Sequence, residues 1–439
     1  MFEDIIVDQN PHWTGGFYEE GIKRDVLDKL KSYIDLPHIV SIVGVRRGGK
    51  STLLKQLINH LLKDKAISPK NILFLNLETP YFSQYKDKVI NLERIYEDYL
   101  KLTSPQGRIY CFLDEIQYFN EWQVFVKAHY EQKNIKFIIT GSNSKLLSSE
   151  LITLLSGRTI PLEVYPFSFK EFLRANGLDI SDNILLLRKR HKIKSFWDEY
   201  LQYGGFPEIA FVGEKGAARE ILSTYARNIL YQDIAPRFKV KKVGDLDTLF
   251  FYLISNIAAL YTYNTLSKLF DLSDKTIKEY LRYFSDAYLL FTVDAFSFSV
   301  KKQIKSPKKI YTIDTGMASS ISFRFSEKVG QLLENMVFLE LMRQGQDVFY
   351  YQTENRLEVD FICRVGKKTT GLIQVTKEIG EDRVKNREVR ALQRAMEETN
   401  IKNGLIVTYE DEGEIKEDAS IIHIVPAYKF FADIRSWIK

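Results

Sequence analysis

Apolar residues in the first third of the chain gather into short, nearly continuous runs separated by stretches of helical period. His38–Gly44 (HIVSIVG), Asn71–Leu77 (NILFLNL), Ile109–Leu113 (IYCFL) and Lys136–Thr140 (KFIIT) are bounded by polar or turn residues and read as strands. Phe17–Ile34 places Ile22, Val26, Leu30 and Ile34 at i, i+4 spacing and predicts a helix, and a second helix is expected from about Gly49 to Leu62. Strands that are apolar on both faces and alternate with helices belong to a parallel sheet covered on both sides. From about Pro166 to Lys239 the pattern turns helical and aromatic-rich, broken at Tyr203-Gly204-Gly205-Phe206-Pro207. Val240–Phe325 reads as three helix-like stretches followed by alternating strand patterns, and Ser326–Lys439 as helix, three strands, helix, strand. There is no internal repeat.

Composition narrows the class. The 439 residues are 45% hydrophobic and 27% charged, which excludes a disordered or collagen-like chain and leaves room for about two to four domains. Cys111 and Cys363 both lie in apolar, strand-like runs, as in a reducing compartment, and no disulfide framework is expected. The scattered histidines offer no pair at zinc-ligand spacing. The N-terminus lacks a signal-peptide pattern, and the longest apolar stretch, Leu249–Tyr261, is too short to span a bilayer. A cytoplasmic location without membrane partners is expected. Net charge is only +5, but between Ile234 and Lys309 there are 13 Lys/Arg against 7 Asp/Glu.

Gly44-Val45-Arg46-Arg47-Gly48-Gly49-Lys50-Ser51, followed by Thr52, fits the phosphate-loop pattern between a strand and a helix. Its glycines let backbone N–H groups curl around phosphate oxygens at a helix N-terminus. Lys50 would reach the β- and γ-phosphates of ATP, and Ser51 would ligate Mg²⁺. The strand Ile109–Leu113 runs into Asp114 and Glu115. Asp114 would hold Mg²⁺ through water, and Glu115 would orient the attacking water. Asn143, in Thr140-Gly141-Ser142-Asn143-Ser144, is a candidate γ-phosphate sensor, or else a turn or cap residue. Arg158 either supplies transition-state charge from a neighbouring subunit or moving lid, or forms an ordinary surface ion pair. Arg46 and Arg47 are further cationic candidates.

These motifs resemble the AAA+/STAND-type P-loop ATPases common in archaea and anaerobic bacteria. The resemblance rests on GVRRGGKST, FLDEIQ, TGSNS and the SGR…PFSFKEF run, and extends through Tyr203–Glu208 (YGGFPE), Lys309–Gly316 (KIYTIDTG) and Glu358–Phe361 (EVDF). It implies an α/β P-loop NTPase core at 1–165, a helical lid at 166–239, a winged helix at 240–325 and a restriction-endonuclease-like α/β domain at 326–439.

In the basic middle segment, Tyr263–Asp271 reads as a short helix, Leu272-Ser273 as a turn and Asp274–Leu290 as a longer helix with Ser273 as N-cap. Ile277, Leu281, Phe284 and Tyr288 share one face, and Lys275, Lys278 and Arg282 another, as in a helix-turn-helix with a basic recognition helix. Phe291–Val300 and Ile310–Ile313 would be wing strands joined by KKQIKSPKK, whose Lys301, Lys302, Lys305, Lys308 and Lys309 stand without an acid. This footprint suits double-stranded DNA, or equally a solvated hairpin on a domain that contacts a protein partner.

In the C-terminal part, the resemblance to a nuclease core implies acids at Glu334 and Asp360, a second-strand acid at 374 and a lysine at 376. The chain has Gln374 and Thr376 there, and Lys377 points to the opposite face. Thr supplies no cation, so a degenerate binding fold is expected in preference to a nuclease using Glu334 and Asp360. Taken together, the sequence predicts a Mg²⁺-dependent ATPase switch coupled to DNA. The alternatives are an ATP-gated nuclease and an ATP-controlled protein scaffold.

Overall fold

The apolar runs of the N-terminal third, joined by a fifth strand, form one wholly parallel sheet in the computed structural model. It describes residues 2–132, 134–142, 155, 157–180, 188–322, 328–366, 368–380, 382–417 and 420–438. The chain divides into two compact units, Met1–Tyr165 and Pro166–Lys439. In the first, β1 (Ile39–Val43), β2 (Ile72–Asn76), β3 (Ile109–Asp114), β4 (Ile135–Gly141) and β5 (Thr159–Glu163) lie in the order β2-β3-β4-β1-β5, the parallel sheet of a P-loop NTPase. β1, β3 and β4 are buried along their whole length. Helices α1 (Glu3–Gln9), α2 (Leu27–Ser32), α3 (Lys50–Lys63), α4 (Ile90–Thr103) and α5 (Trp122–Glu131) accompany the strands. Leu53, Leu54, Leu57, Ile58 and Leu61 of α3 share one apolar cluster with Val40, Ile42 and Ile138 of the sheet.

The helix expected over Phe17–Ile34 shrinks to α2. Ahead of it the backbone is satisfied by α3 side chains instead of by itself. Asn59 Oδ1 accepts from the Tyr18 N–H at 3.1 Å, and Gln56 Nε2 donates to the Glu20 and Ile22 carbonyls at 2.6 and 2.7 Å. Side chains that compete for backbone groups override helical period. On β4, the buried Lys136 donates to the carbonyls of Tyr33, Leu36 and His38 at 2.7, 2.8 and 2.5 Å. Burial pushes its pKa down to about 8.

The second unit opens with α6 (Phe169–Ala175), α7 (Arg190–Tyr203), α8 (Lys215–Asn228) and α9 (Val243–Ser255). Next come β6 (Leu260–Tyr261), α10 (Tyr263–Phe270), α11 (Asp274–Asp286), β7 (Leu290–Val293), α12 (Val300–Lys305) and β8 (Lys308–Thr312). The three strands form an antiparallel sheet ordered β6-β8-β7. Both expected wing strands are displaced: the first ends at Val293 and the second begins at Lys308. The lysine run is therefore not one exposed tip. Lys301, Lys302 and Lys305 lie on α12, while Lys308 and Lys309 belong to β8. After α13 (Thr315–Ile321) and α14 (Val329–Arg343) come β9 (Asp347–Gln352), β10 (Glu358–Val365), β11 (Lys368–Thr376), α15 (Asp382–Thr399), β12 (Asn403–Thr408), β13 (Gly413–Glu417), β14 (Ser420–Pro426) and α16 (Ala427–Ala432). Their six strands take the order β13-β14-β12-β11-β10-β9, parallel across β11-β12-β14 and antiparallel elsewhere. The tail holds two strands and a helix more than the sequence pattern suggests.

Two sequence motifs meet in this unit. The Gly205 N–H donates to Asp314 Oδ2 at 2.7 Å, and Asp314 Oδ1 caps α13 by accepting from the Met317 N–H at 3.0 Å. A Cβ at Gly316 would fall 2.0 Å from the Tyr203 carbonyl oxygen, so YGG and DTG interlock backbone to backbone. Burial raises the Asp314 carboxyl to about 6, against the N–H groups of Gly205, Met317 and Gly316. Between its unfolded value of about 4 and that folded value, the folded chain holds a proton that the unfolded chain has lost. Stability from this group is therefore present below about pH 4 and falls as pH rises to 6. Urea unfolding across pH 4–7 should show wild type losing about 2–3 kcal/mol relative to Asp314→Asn over that window; parallel pH profiles would refute this.

Candidate functional site

β1 ends at Val43 and the chain turns through Gly44–Gly49 into α3. Gly44 has φ 151°, and a Cβ there would lie 2.0 Å from the Val164 carbonyl oxygen, so only glycine fits. Arg47 and Gly49 are left-handed, at 63° and 94°, which curls the backbone into the concave turn that binds anions. Val45 is buried, the Gly48 N–H bonds back to its carbonyl, and Ser51 and Thr52 sit in the first turn of α3. Arg24 clamps the loop from outside, donating to the Gly48 carbonyl at 2.8 Å and the Tyr165 carbonyl at 2.6 Å. Sequence reading passed over Arg24, whose contact across 141 positions leaves no local signal. Arg46 pairs with Glu78, which also accepts from the Tyr118 hydroxyl at 3.0 Å.

Parallel strands end at the same edge of a sheet, so β3 delivers Asp114 and Glu115 beside the loop that follows β1. β4 lies between them, and its Thr140 is the bridge. Thr140 Oγ1 donates to Asp114 Oδ1 at 2.5 Å and accepts from the Glu115 N–H at 2.9 Å. Ser51 hydrogen-bonds the Asp114 carboxylate. Lys50 Nζ stands 3.3 Å from Glu115 Oε1 and donates to the Gly44 and Val45 carbonyls at 3.2 and 3.1 Å. Gln117 and the Ser142 N–H, the latter at 3.2 Å, hold Glu115 Oε2. Burial pushes the Asp114 carboxyl up, aided by the Glu115 charge and opposed by Ser51 and Thr140. Burial also presses Glu115 upward, but Lys50, Gln117 and Arg46 outweigh it and hold that carboxyl low. Two buried carboxylates thus face one ammonium, with a hydroxyl and a carboxylate turned to each other. An all-oxygen donor pair in surplus negative charge fits a hard divalent cation such as Mg²⁺.

The remaining candidates separate. Asn143 lies outside the described residues. Arg158 precedes β5, beside Ile39 at the start of β1, and pairs with Glu131 at 3.4 Å. That is the far end of a five-residue strand from the phosphate loop, about 16 Å away at strand rise. Arg158 therefore does not reach its own chain's loop.

On α11, Lys275, Lys278 and Arg282 are exposed while Ile277, Tyr280, Leu281 and Phe284 are buried, and Ser273 Oγ caps the helix through the Thr276 N–H at 3.1 Å. Lys301, Lys302 and Lys305 are exposed on α12, and none of these six cations has a carboxylate partner among the described residues. Two members of the expected DNA-facing set are corrected. Lys308 is tied to Asp294, and Lys309 is 1% exposed, its ammonium 2.8 Å from Glu334 and 2.9 Å from Asp360. Strand alternation turns Lys309 inward. Gln374 accepts from the Asp360 N–H at 3.2 Å and donates to Glu388 at 2.5 Å. The Thr376 hydroxyl donates to the Glu378 carbonyl at 3.1 Å. Thr376 supplies no cation to this cluster; the cation beside Glu334 and Asp360 is Lys309, which comes from β8 and not from the strands that carry Asp360, Gln374 and Thr376.

Residues 37–173 match the model of an AAA domain, residues 194–328 a domain of unknown function (DUF8612) and residues 329–430 another (DUF4143). Among solved structures, the Aeropyrum pernix ORC1 protein in complex with DNA is similar at a TM-score of 0.30 and 11% identity, over 67% of this chain and 90% of that one. An uncharacterized protein of Haemophilus influenzae is 34% identical over 82% of this chain and 88% of its own length. The uncharacterized protein MJ1544 of Methanocaldococcus jannaschii is 33% identical over 98% of this chain and 95% of its own length. With end-to-end similarity at that level, this chain, whose AAA segment holds the phosphate loop and acid pair and precedes two domains of unknown function, belongs to the family of MJ1544.

Proposed function

We propose that the protein is a Mg²⁺-dependent, ATP-hydrolysing switch of the AAA+/STAND type whose nucleotide state is coupled to duplex DNA. The observation that carries the ATPase reading is the convergence of Lys50, Ser51, Asp114 and Glu115 at the mouth of the phosphate loop. Lys50 exchanges its contacts with Glu115 and the loop carbonyls for the β- and γ-phosphates. Glu115, released from Lys50 but still held by Gln117 and the Ser142 N–H, accepts a hydrogen bond from the attacking water and polarises it. Ser51 and Asp114 would hold Mg²⁺, which neutralises charge on the phosphate oxygens. Thr140 keeps Asp114 and Glu115 in fixed relation through its two hydrogen bonds.

The DNA reading is supported by α10 and α11 with their three-stranded antiparallel sheet, an arrangement suited to a winged helix, and by the six exposed cations on α11 and α12, which have no carboxylate partner among the described residues. Phosphate contacts release counterions, so such binding weakens with salt. Among the described residues no helix is long and apolar enough to cross a membrane.

Two measurements test these readings. In Mg²⁺-ATP hydrolysis by the full chain, Lys50→Ala should abolish nucleotide binding. Glu115→Gln should keep binding but lose turnover by about 10²–10⁴-fold; full turnover in Glu115→Gln would remove Glu115 from the chemistry. In duplex-DNA titrations at several salt concentrations, the Lys301→Ala/Lys302→Ala/Lys305→Ala variant should lower the slope of log K against log salt by about 3. Binding that is indifferent to salt, or ATP turnover that is indifferent to DNA, would favour the protein-facing scaffold.

A further inference from the structure

Lys309 and Tyr311 stand two residues apart on β8 and so share one side of the strand. On that side the Lys309 ammonium meets three carboxylate oxygens: Glu334 Oε1 of α14 at 2.8 Å, Glu358 Oε1 of β10 at 2.7 Å and Asp360 Oδ1 of β10 at 2.9 Å. An ammonium has three N–H donors and no acceptor, so these oxygens use its whole capacity. The acids are fixed in turn. The Tyr311 hydroxyl donates to Glu334 Oε1 at 2.6 Å, and the Val375 N–H to Asp360 Oδ2 at 2.9 Å. Glu358, whose side chain is 34% exposed, reaches solvent furthest, while Glu334 and Asp360 are 12% and 8% exposed.

We propose that Lys309 is the built-in cation of this pocket, standing where a divalent metal bound by Glu334, Glu358 and Asp360 would have to stand. The wild-type chain thereby keeps metal out, and loss of the ammonium opens a divalent-cation site. Three oxygens from two elements converge on one point, the donor set that hard cations take at about 2.0–2.6 Å. The ammonium already fills that point, so metal and lysine exclude each other. Among the described residues no three such side chains have metal-binding geometry; here the oxygens are held apart at ammonium contact distance. The Lys309 backbone is fixed, and its side chain is enclosed at 1% exposure. β8 is the middle strand of its sheet, where Lys309 pairs with Leu260 of β6 and Val293 of β7, and the next residues, Ile310 and Tyr311, are buried. Removing the ammonium leaves three carboxylates facing one another, relieved by hydrogen bonds and by the Arg387 guanidinium charge that acts on Asp360. Such a cluster must take up protons or a cation. This inference does not depend on the ATPase reading.

The test is Mn²⁺ binding by the full chain, followed as loss of the free Mn²⁺ EPR signal without nucleotide. Asp114→Asn is carried in every sample to silence the phosphate-loop site. Wild-type Lys309 should give the same titration with and without Asp360→Asn. Lys309→Met should gain one Mn²⁺ per chain, and Lys309→Met/Asp360→Asn should lose it. If Lys309→Met fails to fold alone, Mn²⁺ should restore its cooperative thermal transition, and Asp360→Asn should block that rescue. A Mn²⁺ site in the Lys309 chain that Asp360→Asn removes would overturn the proposal. So would Mn²⁺-dependent DNA nicking with the same dependence on Asp360, or a Lys309→Met chain that neither binds Mn²⁺ nor is rescued by it.

Discussion

A charge removed from water must be met by opposing charge or by oriented dipoles, because an unpaired ion in a protein interior costs several kcal/mol. That constraint organises both units of this chain. Lys136 meets three carbonyls at the end of α2, Asp314 meets backbone N–H groups across the Gly204-Gly205 turn, Lys50 meets Glu115, and Lys309 meets three carboxylates. Each pairing joins segments far apart in sequence, so each fixes tertiary geometry that apolar packing alone would leave loose.

The two lysine–carboxylate clusters differ in how completely the ammonium is satisfied, and that difference separates the proposed nucleotide site from the Lys309 cluster. Lys50 is held by one carboxylate at 3.3 Å and two carbonyls at 3.1–3.2 Å, contacts a phosphate can replace. Its neighbours Asp114 and Glu115 leave a surplus of negative charge beside the N-terminus of the helix that follows the phosphate loop. Lys309 has three carboxylate oxygens at 2.7–2.9 Å and sits on a strand paired on both sides. The same residue types thus make an exchangeable site in one unit and a closed one in the other.

The motifs outside the phosphate loop also acquire a physical meaning. Tyr203–Gly205 and Asp314–Gly316 are two halves of one backbone contact, in which any side chain at Gly316 would collide with the Tyr203 carbonyl. KIY and EVD are two halves of the Lys309 cluster. Glu334 and Asp360, read from the sequence as acids without their lysine, are part of a tetrad with Glu358 and Lys309, whose cation arrives from another sheet. The signal for Lys309 was present as alternation with Tyr311, but it was hidden in a run of lysines whose other members face solvent or Asp294.

The sequence by itself determined the parallel sheet, the phosphate loop with its acid pair, and the amphipathic capped helix α11. Each of these is written in local periodicity, in glycine positions or in residues a few places apart. Tertiary structure alone decided that Thr140 bridges Asp114 to the Glu115 backbone, that Arg24 clamps Gly48, that Arg158 lies at the wrong end of β5 to serve its own loop, and that Lys309 is buried. These depend on which strands are neighbours and where each strand begins. A strand shifted by one residue exchanges its inner and outer faces. The start of β8 at Lys308 is what turned an apparent surface lysine into the central charge of the second unit.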